Sequence, residues 1–227
     1  MRGDMSQEEV KDPYLDQIVK AYNLNLEKLH SEAIEPARYL SLMHCAKEIY
    51  DKNINGSVCE AGVYKGLFAQ YINGFFNDRT LHLYDTFCGF IEGEVKYDFH
   101  FNYLSGKHDM PSFSRDNNLE LVKALMPHLD KCVFHIGRIP ETLDYSSNEK
   151  FCFVSIDCDL HLPTFNCLEY FYPRVNVGGY IFIHDYNHGA GDFYGIREAI
   201  KRYQNMYKIE LKYVPLSDFS GTVVIAR

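Results

Sequence analysis

Four side chains late in the sequence carry groups that could do chemistry together. Asp157 and Asp159 lie two residues apart, and His184 adjoins Asp185. Three carboxylates and an imidazole gathered at one place can hold a divalent cation, take a proton from a hydroxyl, or do both. The sequence around them says that they are gathered. Phe151–Ile156 is an apolar run with β-branched Val154 and Ile156, and it stops at Asp157; a second apolar run, 180–183, stops at His184. Both read as buried parallel strands. Between them Leu162, Phe165, Leu168, Glu169 and Tyr172 recur at helical spacing, and Gly178-Gly179 releases the second run. The unit is β-α-β. Open parallel sheets take their ligands beyond the carboxyl ends of the strands, so all four side chains are expected at one rim.

An earlier stretch supplies a second constellation. The turn Asn55-Gly56 precedes a short strand over 57–61 that contains Glu60, and E-A-G-V-Y-K-G at 60–66 leads into Leu67, Phe68, Tyr71, Ile72, Phe75 and Phe76 at helical spacing. Strand, glycine turn and helix follow the order that a nucleotide-binding turn requires. Gly62 is expected to let the backbone approach a ligand, and Gly66 to let the helix start pack on the sheet. The spacing is G-x-x-x-G, not the G-x-G-x-x-G of dinucleotide sites. The next strand, 80–84, ends in Asp85, roughly 20 residues beyond the turn, where an acid can accept hydrogen bonds from both ribose hydroxyls of a nucleoside.

The remaining elements frame these two. Apolar spacing predicts helices over 6–30, broken near Pro13, and from Pro36 onward; these N-terminal helices either pack on the sheet or form a homo-oligomer interface or a lid. Residues 86–115 show no sustained period and are expected to form a mobile aromatic lid. A helix over 116–129, a third strand over 133–136 that runs into Gly137-Arg138, a helix over 193–207 and two antiparallel strands over 209–214 and 222–226 complete the chain. The organisation expected is a helical extension, 1–54, on one domain, 55–227.

Composition limits the possible functions. Of 227 residues, 46% are hydrophobic and 24% charged, as in a globular protein with a sizeable core. No apolar run approaches the roughly 20 residues that span a bilayer, and the first residues lack the apolar core of a secretory signal, so no membrane association and a cytoplasmic location are expected. Cys45, Cys59, Cys88, Cys132, Cys152, Cys158 and Cys167 are odd in number and scattered, which reads as reduced thiols and not disulfides or zinc ligands. The net charge of −8 and the lack of a basic cluster argue against a nucleic-acid partner.

The alternation of helices and strands, finishing in a hairpin, resembles the class I S-adenosylmethionine-dependent methyltransferases. Within that class E-A-G-V-Y-K-G at 60–66, L-Y-D-T-F-C-G-F at 83–90, I-D-C-D-L at 156–160 and G-G-Y-I-F-I-H-D-Y at 178–186 resemble the macrocin/mycinamicin O-methyltransferase family, whose members methylate sugar hydroxyls in antibiotic biosynthesis. The resemblance implies a Rossmann-like α/β fold: a mostly parallel seven-stranded sheet with helices on both faces and a C-terminal antiparallel hairpin. It assigns S-adenosylmethionine to Glu60, Ala61, Gly62, Gly66, Asp85, Thr86, Gly137, Arg138 and Asp157. It assigns a divalent metal, usually magnesium, to Asp157 and the pair His184-Asp185. The family's characterised enzymes carry Asp-Asp-Tyr where this chain has His184-Asp185-Tyr186. Magnesium prefers oxygen donors and an imidazole suits softer ions, so several roles stay open for His184: bystander to a metal on Asp157 and Asp185, ligand of a softer metal, general base without a metal, or simple hydrogen-bond partner.

The acceptor expected is a small molecule or sugar with a hydroxyl to methylate. Its proton must leave as the methyl group arrives, helped by a Lewis acid or by a positioned base worth roughly 10²–10⁴-fold. Asp157, Asp159 and His184 are the candidate catalytic residues; two residues apart, Asp157 and Asp159 share a face for as long as the strand persists. Two other classes fit the same glycine turn, a nucleotide-dependent oxidoreductase and a non-catalytic cofactor-binding domain.

Overall fold

The computed structural model describes residues 36–104, 117–187, 193–218 and 220–227. The helices expected over 6–30 lie outside these residues, as do 105–115 of the expected lid and the first residue of the helix expected over 116–129. A seven-stranded sheet runs through the molecule in the order β3-β2-β1-β4-β5-β7-β6. Its strands are β1 (Ser57–Ala61), β2 (Leu81–Asp85), β3 (Cys132–Ile136), β4 (Phe151–Ile156), β5 (Val175–Ile183), β6 (Tyr213–Pro215) and β7 (Val223–Ala226). The first five are parallel, and β7 is antiparallel to β5 and β6. This is the mostly parallel sheet with a closing hairpin that the sequence implies.

Helices cover both faces. On one side α1 (Pro36–Asp51), α2 (Leu67–Phe75) and α4 (Leu119–Leu125) bury a core that includes Leu42, Ile49, Tyr71, Ile72, Leu81 and Val122. On the other, α5 (His161–Phe171) and α6 (Tyr194–Tyr207) close over Val154, Ile156, Ile181 and Ile183. Among the described residues α1 packs on α2 and β5.

The register places the chemistry. Ala61 pairs with Tyr84 and Ile156, and Ile156 pairs with Ile183, so the next residues, Asp85, Gly62, Asp157 and His184, stand side by side at one end of the sheet. Backbone bonds carry the ladder into that row: Gly62 donates to the Tyr84 carbonyl at 2.9 Å, Asp157 to Ala61 at 2.8 Å and His184 to Ile156 at 2.9 Å.

Several elements differ from expectation for identifiable reasons. Residues 92–100, within the expected loop, form a helix, α3 (Glu92–His100), whose buried side chains are Glu94 and Asp98. A helix that turns acids inward shows no apolar period. β5 contains Gly178-Gly179 instead of following it. A Cβ on Gly179 would lie 2.5 Å from the Cys152 carbonyl and one on Gly178 2.7 Å from Ile54, so the pair marks close approach within an irregular stretch of strand. α4 is shorter than 116–129 because Asn118 caps it, accepting from Glu120 and Leu121 N–H. The seven cysteines are free thiols, Cys88 exposed. Among the described residues no helix is long and apolar enough to cross a membrane.

Candidate active site

A cavity of about 680 Å³ opens at the rim where β1, β2, β4 and β5 end. That volume suits a small-molecule site. Seven of the nine residues expected to meet the cofactor line it: Glu60, Gly62, Asp85, Thr86, Gly137, Arg138 and Asp157. So do Asp159, His184 and Asp185. Ala61 and Gly66 do not line it. The Ala61 side chain is fully buried in the core beneath the rim, and its carbonyl accepts from Asp157 N–H. Gly66 sets the turn from behind the cavity wall: it caps α2 at φ +78°, and its Cβ would lie 2.9 Å from Val122 of α4, so its close neighbour is a helix and not the sheet. Gly62 also works differently from expectation. At φ +85° its Cβ would lie 1.9 Å from the Asp157 carbonyl, so the crowding that demands glycine comes first from the end of β4.

Asp85 organises the glycine turn. Its Oδ2 accepts from the N–H groups of Val63 at 2.7 Å and Tyr64 at 2.9 Å, and its Oδ1 accepts from Phe87 N–H at 2.7 Å and Asn117 Nδ2 at 3.1 Å. The carboxylate thus ties the turns after β1 and β2 together at the cavity wall. Thr86 uses its hydroxyl within its own turn, donating to the Gly89 carbonyl at 2.6 Å. Gly137 N–H donates to the Asp85 carbonyl at 2.9 Å. Arg138 pairs with buried Glu94 at 2.8 Å and with Glu141 at 3.2 Å, linking α3 to the wall below β3.

The acids beyond β4 form a charge network with His184 and one residue that sequence reasoning passed over. His184 Nδ1 lies 2.9 Å from Asp157 Oδ1 and 3.2 Å from Asp185 Oδ2. Arg38, 5% exposed, donates from Nη2 to Asp157 Oδ2 at 2.9 Å and to Ser155 Oγ at 3.3 Å, with its guanidinium 3.8 Å above the Phe68 ring. The signal for Arg38 was present: it occupies the α1 face that also carries buried Leu42 and Ile49, where an arginine is out of place without a buried partner. Asp159 and Asp185 reach the cluster from left-handed conformations, φ +60° and +55°. β4 ends at Ile156, so the shared strand face expected for Asp157 and Asp159 does not exist; a tight turn brings Asp159 in instead.

Each group's protonation follows from this packing. Burial pushes the Asp157 carboxyl up, but His184 and Arg38 outweigh it and hold the pKa below its ordinary value. Burial and Arg38 oppose a proton on His184, yet Asp157 and Asp185 more than offset them, and its pKa rises well above the usual imidazole range. Asp159 moves well up, from burial first and then from the neighbouring Asp185 and Asp157 charges. Glu60, 2% exposed, also rises well above the carboxylate range, because burial exceeds the pull of Arg38.

The donor set also suits a divalent metal. One ligand atom each from Asp157, His184 and Asp185 lie within 4.8 Å of one another. In an octahedron with bonds of about 2.1 Å, adjacent donors stand about 3 Å apart, close to the two spacings around His184 Nδ1.

Comparison with known proteins agrees with this geometry. The model of the Macrocin-O-methyltransferase (TylF) family matches residues 5–224. The chain belongs to this family. Demethyldecarbamoylnovobiocin O-methyltransferase of Streptomyces niveus is 26% identical over 163 residues, covering 66% of this chain and 60% of that protein. The 8-demethyl-8-(2,3-dimethoxy-alpha-L-rhamnosyl)-tetracenomycin-C 4'-O-methyltransferase of Streptomyces olivaceus is 25% identical over 197 residues, covering 82% of this chain and 71% of that one. The structure of the O-methyltransferase NovP superposes with a TM-score of 0.63 at 21% identity, over 84% of this chain and 79% of that one. Fold and family are those implied by the four motifs, and the chain stands among O-methyltransferases, not nucleotide-dependent oxidoreductases.

Proposed function

We propose that the protein transfers the methyl group of S-adenosylmethionine to a hydroxyl of a sugar-containing acceptor, with a divalent metal held by Asp157, His184 and Asp185. The observation that carries this reading is the shared register of β2, β1, β4 and β5, which sets Asp85, Gly62, Asp157 and His184 in one row along one cavity. A relative named for a rhamnosyl substrate favours a sugar hydroxyl.

In this reading Glu60 and the turn at Gly62 meet the methionine end of the cofactor, and Asp85 meets its ribose. Bound there, the sulfonium supplies an electrophilic methyl and a neutral leaving group, while the metal lowers the pKa of the acceptor hydroxyl. Asp159, which lines the same cavity and lies outside the metal-holding set, takes the hydroxyl proton. His184 is not available for that task in this reading, because its Nδ1, shared between Asp157 and Asp185, is the nitrogen given to the metal. Phe90, Ile91, Leu160 and Phe193 line the same cavity and exclude water from the transfer. Alignment of hydroxyl, methyl and sulfur supplies much of the remaining rate.

The test is transfer of isotopically labelled methyl from S-adenosylmethionine to a panel of glycosides and catechols. Label in a glycoside, dependent on added divalent metal, is the expected result. Label in catechols alone would overturn the sugar assignment, and cofactor binding without transfer to any hydroxyl would favour a non-catalytic domain.

A further inference from the structure

We infer that the site formed by Asp157, His184 and Asp185 prefers a divalent ion that accepts an imidazole nitrogen, of the manganese-to-nickel class, over magnesium. The inference deepens the metal part of the proposed function and rests on that part alone. Three features of the site lead to it.

The first is the donor set. Two carboxylate oxygens and one imidazole nitrogen converge, and His184 Nδ1 is the shared neighbour of both oxygens, at 2.9 Å and 3.2 Å. Asp159 lies outside this set. Nitrogen donors strengthen binding of first-row transition ions, whereas magnesium demands oxygen.

The second is charge. Arg38 holds the other oxygen of Asp157 at 2.9 Å and is itself fixed by Ser155 and by the Phe68 ring. A guanidinium pinned there cancels one carboxylate charge wherever the metal sits. Magnesium, held chiefly by charge on oxygen, loses most from that cancellation. An ion with a strong bond to nitrogen loses less.

The third is placement. His184 is the first residue beyond β5, its N–H bonded to the Ile156 carbonyl at 2.9 Å, and its side chain is only 14% exposed. The imidazole is therefore built into the rim and is not a mobile surface group that an ion recruits by chance.

Metal-free protein would be titrated calorimetrically with magnesium, manganese and nickel chlorides, as wild type, as His184→Asp and as Asp185→Asn. Manganese-loaded samples would be examined by pulsed electron paramagnetic resonance for a directly bound nitrogen. The inference expects nitrogen coupling in the wild type and none in His184→Asp. It also expects the manganese-to-magnesium affinity ratio to fall about tenfold or more in His184→Asp, in the range seen when a metal site's ligand environment is altered. Asp185→Asn should weaken all three ions, which separates this site from the chain's other histidines. An unchanged ratio, nitrogen coupling that persists in His184→Asp, or failure of every ion to bind would overturn it. S-adenosylhomocysteine titrated into the same samples keeps the two readings apart: cofactor product that binds while the ion preference fails leaves the methyltransferase proposal standing.

Discussion

Two places in the sheet hold histidines against their neighbours, and they hold them in opposite states. At the rim, His184 sits between the carboxylates of Asp157 and Asp185, which outweigh burial and favour the charged ring. Across β2 and β3, His82 Nδ1 meets His135 Nε2 at 3.0 Å, and Tyr84 stacks on His135 with ring centroids 4.0 Å apart. Among the described residues no carboxylate is bonded to this second pair. Burial lowers both rings, His135 further through its His82 neighbour, to about 4, although Glu149 pulls His82 slightly back. The same side chain is thus a chemical group in one place and a packing piece in the other. What decides is whether carboxylates are at hand to offset the cost of burial.

The largest effect that separates the two regions is on turnover. Asp159→Asn should reduce methyl transfer by roughly 10²–10⁴-fold, the contribution of a positioned base, with the thermal unfolding midpoint little changed. His135→Phe, which keeps an aromatic ring beside Tyr84, should leave the rate near wild type. Equal losses in the two variants would erase the distinction.

A smaller effect separates them in stability. Folding holds His135 neutral, so the stability this adds is full above its ordinary value of 6.5 and is lost as pH falls through about 4. Asp98 works the other way across the same window. It is buried, accepts from His161 N–H at 2.9 Å, and is pushed by burial from 3.8 up to about 7, so its contribution is full below 3.8 and lost as pH rises through about 7. Wild-type stability mixes the two, and the difference between wild type and His135→Phe isolates the first. That difference should shift by on the order of 1 kcal/mol in favour of the variant between pH 7 and pH 4.5, measured by denaturant unfolding. A difference independent of pH would show that the pair is not held neutral.

Legibility in the sequence followed the same division between apolar and polar packing. β4 was readable to the residue because it is six buried apolar or small positions ended by an acid, and the rim acids followed from it. α3 was not readable because it buries Glu94 against Arg138 and Asp98 against the start of α5; polar partners distant in sequence leave no period. Arg38 belongs to the same class, 119 residues from Asp157. Gly62 was rightly singled out for its glycine, but the neighbour that forbids a Cβ is the Asp157 carbonyl, and a cross-strand contact of that kind cannot be read from one strand. Ala61 and Gly66 lay inside the right motif and behind the cavity wall, because a motif gives the turn and not the direction each residue faces.

The account stands most directly on cofactor binding at the row of strand ends. Calorimetric titration of S-adenosylhomocysteine into wild type and Asp85→Ala, with NAD as the competing ligand and unfolding midpoints recorded for both proteins, tests it. Binding to wild type that weakens by about 1.5–3 kcal/mol in a folded Asp85→Ala variant, the worth of a hydrogen bond to a charged group, with no binding of NAD, is the result expected. Undiminished affinity in folded Asp85→Ala, or a wild type that takes NAD and not S-adenosylhomocysteine, would contradict it.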